Sequence, residues 1–151
     1  MSRGARSRVR DAISMVSEFS EKQKAFINSQ GVLRFNSLTP DDQIHSVPVC
    51  FAFDGRNFYV HCANRGAKRW RNVKKNNVAS VELDSYVDDW SGNKGILAYG
   101  KAMFIEPDQE EQRKGISLLK EKYVQYREKF KLNDSTVIVK LEPAKIMSWS
   151  L

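Results

Sequence analysis

The chain has 151 residues, with 25 Lys and Arg against 18 Asp and Glu, a formal charge of +7, and 41% hydrophobic residues. These values describe one soluble globular domain, and no apolar run approaches the roughly 18 residues of a membrane span. The positive balance admits nucleic acid, a membrane surface or a polyanionic small molecule as partner without choosing among them, while two cysteines, Cys50 and Cys62, are too few for a four-ligand zinc site.

The first residues are basic (Arg3, Arg6, Arg8, Arg10) and are not followed by an uninterrupted apolar stretch, so no secretory signal is expected. A cytoplasmic protein with reduced thiols follows. Residues 1–19 read as a basic segment, partly helical or disordered, in which Ala12, Ile13, Val16 and Phe19 have roughly helical spacing. The domain proper is predicted over 20–151. Ser20 and Gln23 have the spacing of a capping box and open a helix to about Asn28. Gly31 breaks the chain, and 32–38 reads as a first strand with a turn at Thr39-Pro40-Asp41-Asp42.

Residues 45–53 form the second predicted strand. Val47, Val49, Phe51 and Phe53 share one face, and Pro48, Cys50 and Ala52 take the other. Pro48 cannot donate to a ladder, so this strand is expected to lie at an edge or a bulge, with room for a ligand. Asp54-Gly55 signals a hairpin into a strand at 57–62. A cationic helix over 66–76 follows directly. Strands are predicted at 78–83 and 95–105, separated by the polar loop 84–93. The period then changes, and Ile116, Leu119, Tyr123 and Tyr126 mark an amphipathic helix over about 108–130, interrupted mildly by Gly115. A last strand is expected at 136–141, interrupted by Pro143, with 146–149 extending the edge. Sequential antiparallel strands with few helices predict a closed or nearly closed barrel.

The hairpin delivering its second strand into a cationic helix is a physical device for holding a phosphate. Unpaired backbone N–H groups at the helix start point at the anion, the helix dipole favours it, and Lys or Arg adds full charge. The candidates are Arg65, Lys68, Arg69, Arg71, Lys74 and Lys75. A charge run is ordinarily a solvated face; placement at a helix start after a hairpin favours the phosphate. His45 and His61 are the only histidines, so neither a His-rich metal site nor an HExxH motif exists, and no metal is expected. No nucleophile triad or dyad is supported, and no catalytic residue is assigned.

Residues 47–61 and 68–81 together resemble the pyridoxamine 5′-phosphate oxidase-like split β-barrel family. The loop 84–91, with Asp88, Asp89 and Trp90, is similar to that of its probable deazaflavin-dependent branch, as are Tyr123, Tyr126 and Trp149. The resemblance covers about residues 20–150. It implies a mainly β, six-stranded, Greek-key-like split barrel with flanking helices, and a homodimer with two cofactor sites at the subunit interface. The implied cofactor is FMN or the deazaflavin F420. The resemblance sets Val47, Pro48 and Val49 along the ring, and His61 and Cys62 with Arg65, Lys68 and Arg69 at the phosphate. Lys68 and Arg69 are interchangeable at this stage. Trp90 is either a surface aromatic packed on the barrel or a cover for the cofactor ring supplied by the partner subunit. Hydroxyl positions of the FMN oxidases are held here by Ala67 and by Cys62 or Ala63, which leaves the deazaflavin open.

The expected function is an oxidoreductase that moves a hydride between this cofactor and a small substrate. The runner-up is a non-catalytic carrier of FMN, F420 or haem. A nucleic-acid-binding module ranks below both, because the aromatics lie mostly at core parity rather than in an exposed stacking row.

Overall fold

The computed structural model of the chain describes residues 14–16 and 18–151. In chain order the elements are β1 (Ser14–Val16), α1 (Glu21–Ser29), β2 (Leu33–Leu38), β3 (Ile44–Val49), β4 (Ala52–Phe53), β5 (Phe58–Cys62), α2 (Lys68–Lys75), β6 (Val78–Ser85), β7 (Lys94–Ile105), α3 (Glu110–Lys122), α4 (Gln125–Glu128) and β8 (Val137–Trp149). The capping box is present: Gln23 N–H donates to Ser20 Oγ at 3.2 Å, and Ser20 N–H to Gln23 Oε1 at 2.9 Å. Gln23 then donates from Nε2 to Ser148 Oγ at 2.8 Å, which fastens α1 to β8 in the core.

One antiparallel sheet runs in the order β3-β2-β6-β7-β8-β5-β4, with β1 added on β8. Its two ends, β3 and β4, are consecutive in the chain with only Cys50 and Phe51 between them. The sheet therefore curls until its edges meet on one continuous segment, which gives a split β-barrel. Counting β3 and β4 as one bent strand and β1 as an addition recovers the six expected strands. The predicted strand 45–53 is thus divided, because its first half pairs with β2 and its second with β5.

Three other expectations are corrected. The helical spacing read within 1–19 does not give a helix among the described residues: Ser14–Val16 is a strand paired with Ser148–Ile146, and Glu18 and Phe19 are irregular, while 1–13 and 17 lie outside the described residues. The helix predicted over 108–130 breaks at Tyr123, whose backbone is extended (φ −118°, ψ 117°), and not at Gly115. Gly115 stays helical on the barrel wall, where an added Cβ would stand 3.1 Å from Ile138 and 3.2 Å from Tyr59. The last strand runs unbroken through Pro143, because a bulge between Tyr99 and Gly100 takes up the irregularity. Gly100 is required there, since a Cβ would fall 1.8 Å from the Glu142 carbonyl oxygen.

The period-two alternation of β5 divides the interior. Phe58, Val60 and Cys62 face the barrel core with Phe35, Phe51, Phe53, Leu83 and Ile96. Tyr59 faces the other way, into a second cluster with Ala52, Leu119 and Ile138 beneath α3. Each fully buried aromatic contributes roughly 1.5–3 kcal/mol by removal from water. The helix α2 is placed by Trp70, 1% exposed and edge-on to Phe35 at 5.1 Å, and by a buried bond from Asn72 Nδ2 to Ser37 Oγ at 3.1 Å. Its cations are thereby held at the end of the barrel where β2 turns into β3.

Candidate functional site

The ladder pairing leaves a gap at the seam. β4 pairs with β5 only at Ala52–Tyr59 and Phe53–Phe58, so Val60, His61 and Cys62 have no strand partner on that side. β3 is the other end of the sheet, and its outer edge includes Pro48, which has no N–H to offer. Since β3 runs directly into β4, these two unpaired edges flank one slot. Along β3 the pattern of exposure alternates: His45, Val47 and Val49 turn inward, while Ile44, Ser46 and Pro48 are exposed.

Arg69 lies at the floor of the slot. It is half-buried, and its charge reaches both His45 of β3 and Cys62 at the end of β5. Arg69 Nε and His45 Nδ1 are buried without a hydrogen-bond partner, and no carboxylate pairs with Arg69 among the described residues. Burial, and then Lys68 and Arg69, hold the His45 imidazole below its ordinary pKa. Burial also pushes the Cys62 thiol up, against the pull of Arg65 and Arg69. The helix start here is bare: Ala67 supplies no capping side chain and the first turn of α2 has no acidic residue. Two cations at a helix N-terminus oppose the dipole, and a bound anion reverses that cost.

Lys68 and Arg69 are therefore not equivalent. Lys68 is exposed and lines a cleft of about 360 Å³ with Thr39, Gln43, Arg71 and Lys75, on the outer side of α2. Arg65 is exposed, ion-paired with Glu106, and set over the Phe104 ring at 5.4 Å. A phosphate would compete with Glu106 for it. His61 points away from the floor: parity puts it on the Tyr59 face, edge-on to Tyr126 at 5.6 Å, where burial lowers its pKa. Trp90 lies at the far end of β6, an eight-residue strand about 23 Å long. It is 73% exposed, beside exposed Tyr86 and Val87, with a left-handed backbone (φ 64°). Within one chain, Val47, Val49, Cys62 and Arg69 come together with Pro48 on the rim; His61 and Trp90 do not join them. His45 was legible from its parity with Val47 and Val49. Tyr123, read in the sequence only as part of an amphipathic helix and of the branch resemblance, and Lys122, which carried no local signal, reach the seam from the end of α3. Among the described residues no three His, Cys, Asp or Glu side chains gather as a metal site, and no helix is long and apolar enough to cross a membrane.

A curled antiparallel sheet whose two edges meet on one continuous segment defines a split-barrel protein. The chain belongs to the pyridoxamine 5′-phosphate oxidase family, whose sequence profile matches residues 19–150. A search of curated proteins finds no match. Among solved structures, a FAD-binding protein from Mesorhizobium loti is similar at 16% identity and TM-score 0.66, covering 90% of this chain and 94% of that one. The haem storage protein HutZ from Vibrio cholerae is similar at 15% identity and TM-score 0.68, covering 83% and 90%. A protein from Listeria innocua described as a pyridoxamine 5′-phosphate oxidase is similar at 20% identity and TM-score 0.61, covering 83% and 94%. At these identities the likeness is one of fold.

Proposed function

We propose that the slot binds a phosphorylated flavin-type cofactor, FMN or the deazaflavin F420, and that the protein is an oxidoreductase acting on a small molecule. The observation that carries the proposal is Arg69: a half-buried guanidinium without a carboxylate, at an uncapped helix start, near both His45 of β3 and Cys62 at the unpaired end of β5. Such a group fits a phosphoryl oxygen, with a charge-assisted bond from the guanidinium and amide donors from the start of α2. Val47 and Val49 offer an apolar wall, and Pro48 leaves the rim free of a competing donor. The cofactor supplies hydride acceptance or donation. The residues of this chain anchor one end of it, orient the ring along β3 and keep water from the inner face.

The partner in this reading is a second copy of the chain, whose Trp90 loop would cover the open side of the slot. A carrier function uses the same slot, and the similarity to proteins named for haem storage and FAD binding favours it as the second reading. The test is titration of the purified protein with FMN and with F420, followed by fluorescence. Binding that weakens on Arg69→Ala supports the site; association of neither cofactor overturns it. Oxidation or reduction of the bound cofactor by added acceptors or donors separates enzyme from carrier.

A further inference from the structure

The β2–β3 ladder ends with Leu33 opposite Val49, and one more rung of the same phase would set Gly31 opposite Phe51. That rung is not made directly. The Phe51 N–H donates to the Tyr123 hydroxyl at 3.1 Å, and the hydroxyl donates to the Gly31 carbonyl at 2.6 Å. A phenolic oxygen thus occupies the place of the next interstrand bond, with both polar backbone groups satisfied through it. Burial pushes the Tyr123 phenol up, so it stays protonated and keeps the hydrogen it donates. From the preceding residue, Lys122 Nζ stands 3.5 Å from the Phe51 ring centroid. The end of α3 therefore grips Phe51 by its backbone and by its ring, at the only crossing from β3 to β4.

We propose that Tyr123 is a positioning residue for the slot, its hydroxyl acting as a wedge between Gly31 and Phe51 that sets where β3 leaves β2. The wedge thereby sets how far Val47 and Val49 stand from Val60 and Cys62. This rests on the reading above that the slot takes a flavin-type cofactor. Without the hydroxyl, the Phe51 N–H closes onto the Gly31 carbonyl. The fold then keeps a full ladder while β3 shifts toward β2. The consequence falls on the ring and not on the phosphate, because Arg69 is held independently by α2 through Phe35 and Ser37.

The test compares wild type, Tyr123→Phe and Arg69→Ala, each titrated with FMN and riboflavin and with F420 and its phosphate-free core. Tyr123→Phe is expected to weaken the phosphorylated and phosphate-free forms by the same factor, about 5- to 20-fold. The visible circular dichroism of the bound ring changes, and the thermal midpoint moves by no more than about 4 °C. Arg69→Ala weakens only the phosphorylated forms. Wild-type affinity and an unchanged visible spectrum in Tyr123→Phe overturn the positioning role while leaving the cofactor reading intact. Failure of every ligand to bind the wild type overturns the cofactor reading and this inference with it. If Tyr123→Phe does not fold, hydrogen exchange at the wild-type Phe51 amide decides. Slower exchange on adding the ligand that binds supports the coupling, and unchanged exchange overturns it.

Discussion

Lys122 Nζ lies against the face of Phe51, buried and without a hydrogen-bond partner. Burial lowers its pKa from 10.5 to about 8, with the nearby Cys50 thiol a smaller opposing influence. The ring face favours the ammonium, but not enough to replace lost water. Between about pH 8 and 10.5 the unfolded chain binds the extra proton, so this residue makes stability rise with pH across that window. Below pH 8 both states are protonated and the burial cost is fully present. The phenols of Tyr59, Tyr123 and Tyr126 are raised by burial, so they oppose the trend above about pH 10. Denaturant unfolding of wild type and Lys122→Met at pH 7, 8 and 9 (about one unit apart) should show a difference that narrows as pH rises. A constant difference would show that Lys122 does not titrate in this range.

Arg69 and Lys68 should separate in binding. Loss of one charge-assisted phosphate contact of roughly 1.5–3 kcal/mol corresponds to about 10- to 100-fold in affinity. Arg69→Ala is expected to show that loss by calorimetry. Lys68→Ala, exposed on the outer cleft, should cost about threefold or less and only at low salt. Equal losses would restore the equivalence that the sequence alone allowed.

The two thiols should react on different timescales. Cys50 is exposed and Cys62 is 6% exposed beside Arg69, with its thiol raised by burial. Iodoacetamide followed by peptide mass spectrometry should label Cys50 in the folded protein and Cys62 only when denaturant is added. Prompt labelling of Cys62 would mean that its thiol turns out of the barrel core in solution.

Gly100→Ala should be among the more damaging single substitutions. The new Cβ would fall 1.8 Å from the Glu142 carbonyl oxygen and 2.9 Å from the Pro143 Cα, both backbone atoms. Strand β8 would have to shift, at a cost of about 1–3 kcal/mol or more. A chemical denaturation midpoint within error of wild type would refute the tight crossing at this bulge.

Trp90→Ala tests the covering role. At 73% exposure the side chain adds little to the stability of one chain, so unfolding should change by about 0.5 kcal/mol or less. Cofactor affinity should fall nonetheless if the loop covers the slot of a second copy. Unchanged affinity would reduce Trp90 to a surface aromatic.

Local chemistry sufficed to read several of the elements: the capping box at Ser20, the Asp54-Gly55 hairpin, the alternation of Val47, Val49 and Phe51, and the cations of α2 are all written in short stretches. These signals depend on residues two to four positions apart, and such spacings survive folding unchanged. The barrel seam was decided by tertiary structure. A strand of nine residues was broken because its halves pair with different neighbours, one at each edge of a curled sheet. Arg69 was distinguished from Lys68 by which side of α2 rests on Phe35, and His61 was turned from the floor by the parity that sends Tyr59 under α3. Tyr123 reaches Gly31 across ninety-two positions. No periodicity encodes such a bond, because it exists only once α3 has packed on the barrel and brought a phenol to the one rung that the strands leave open.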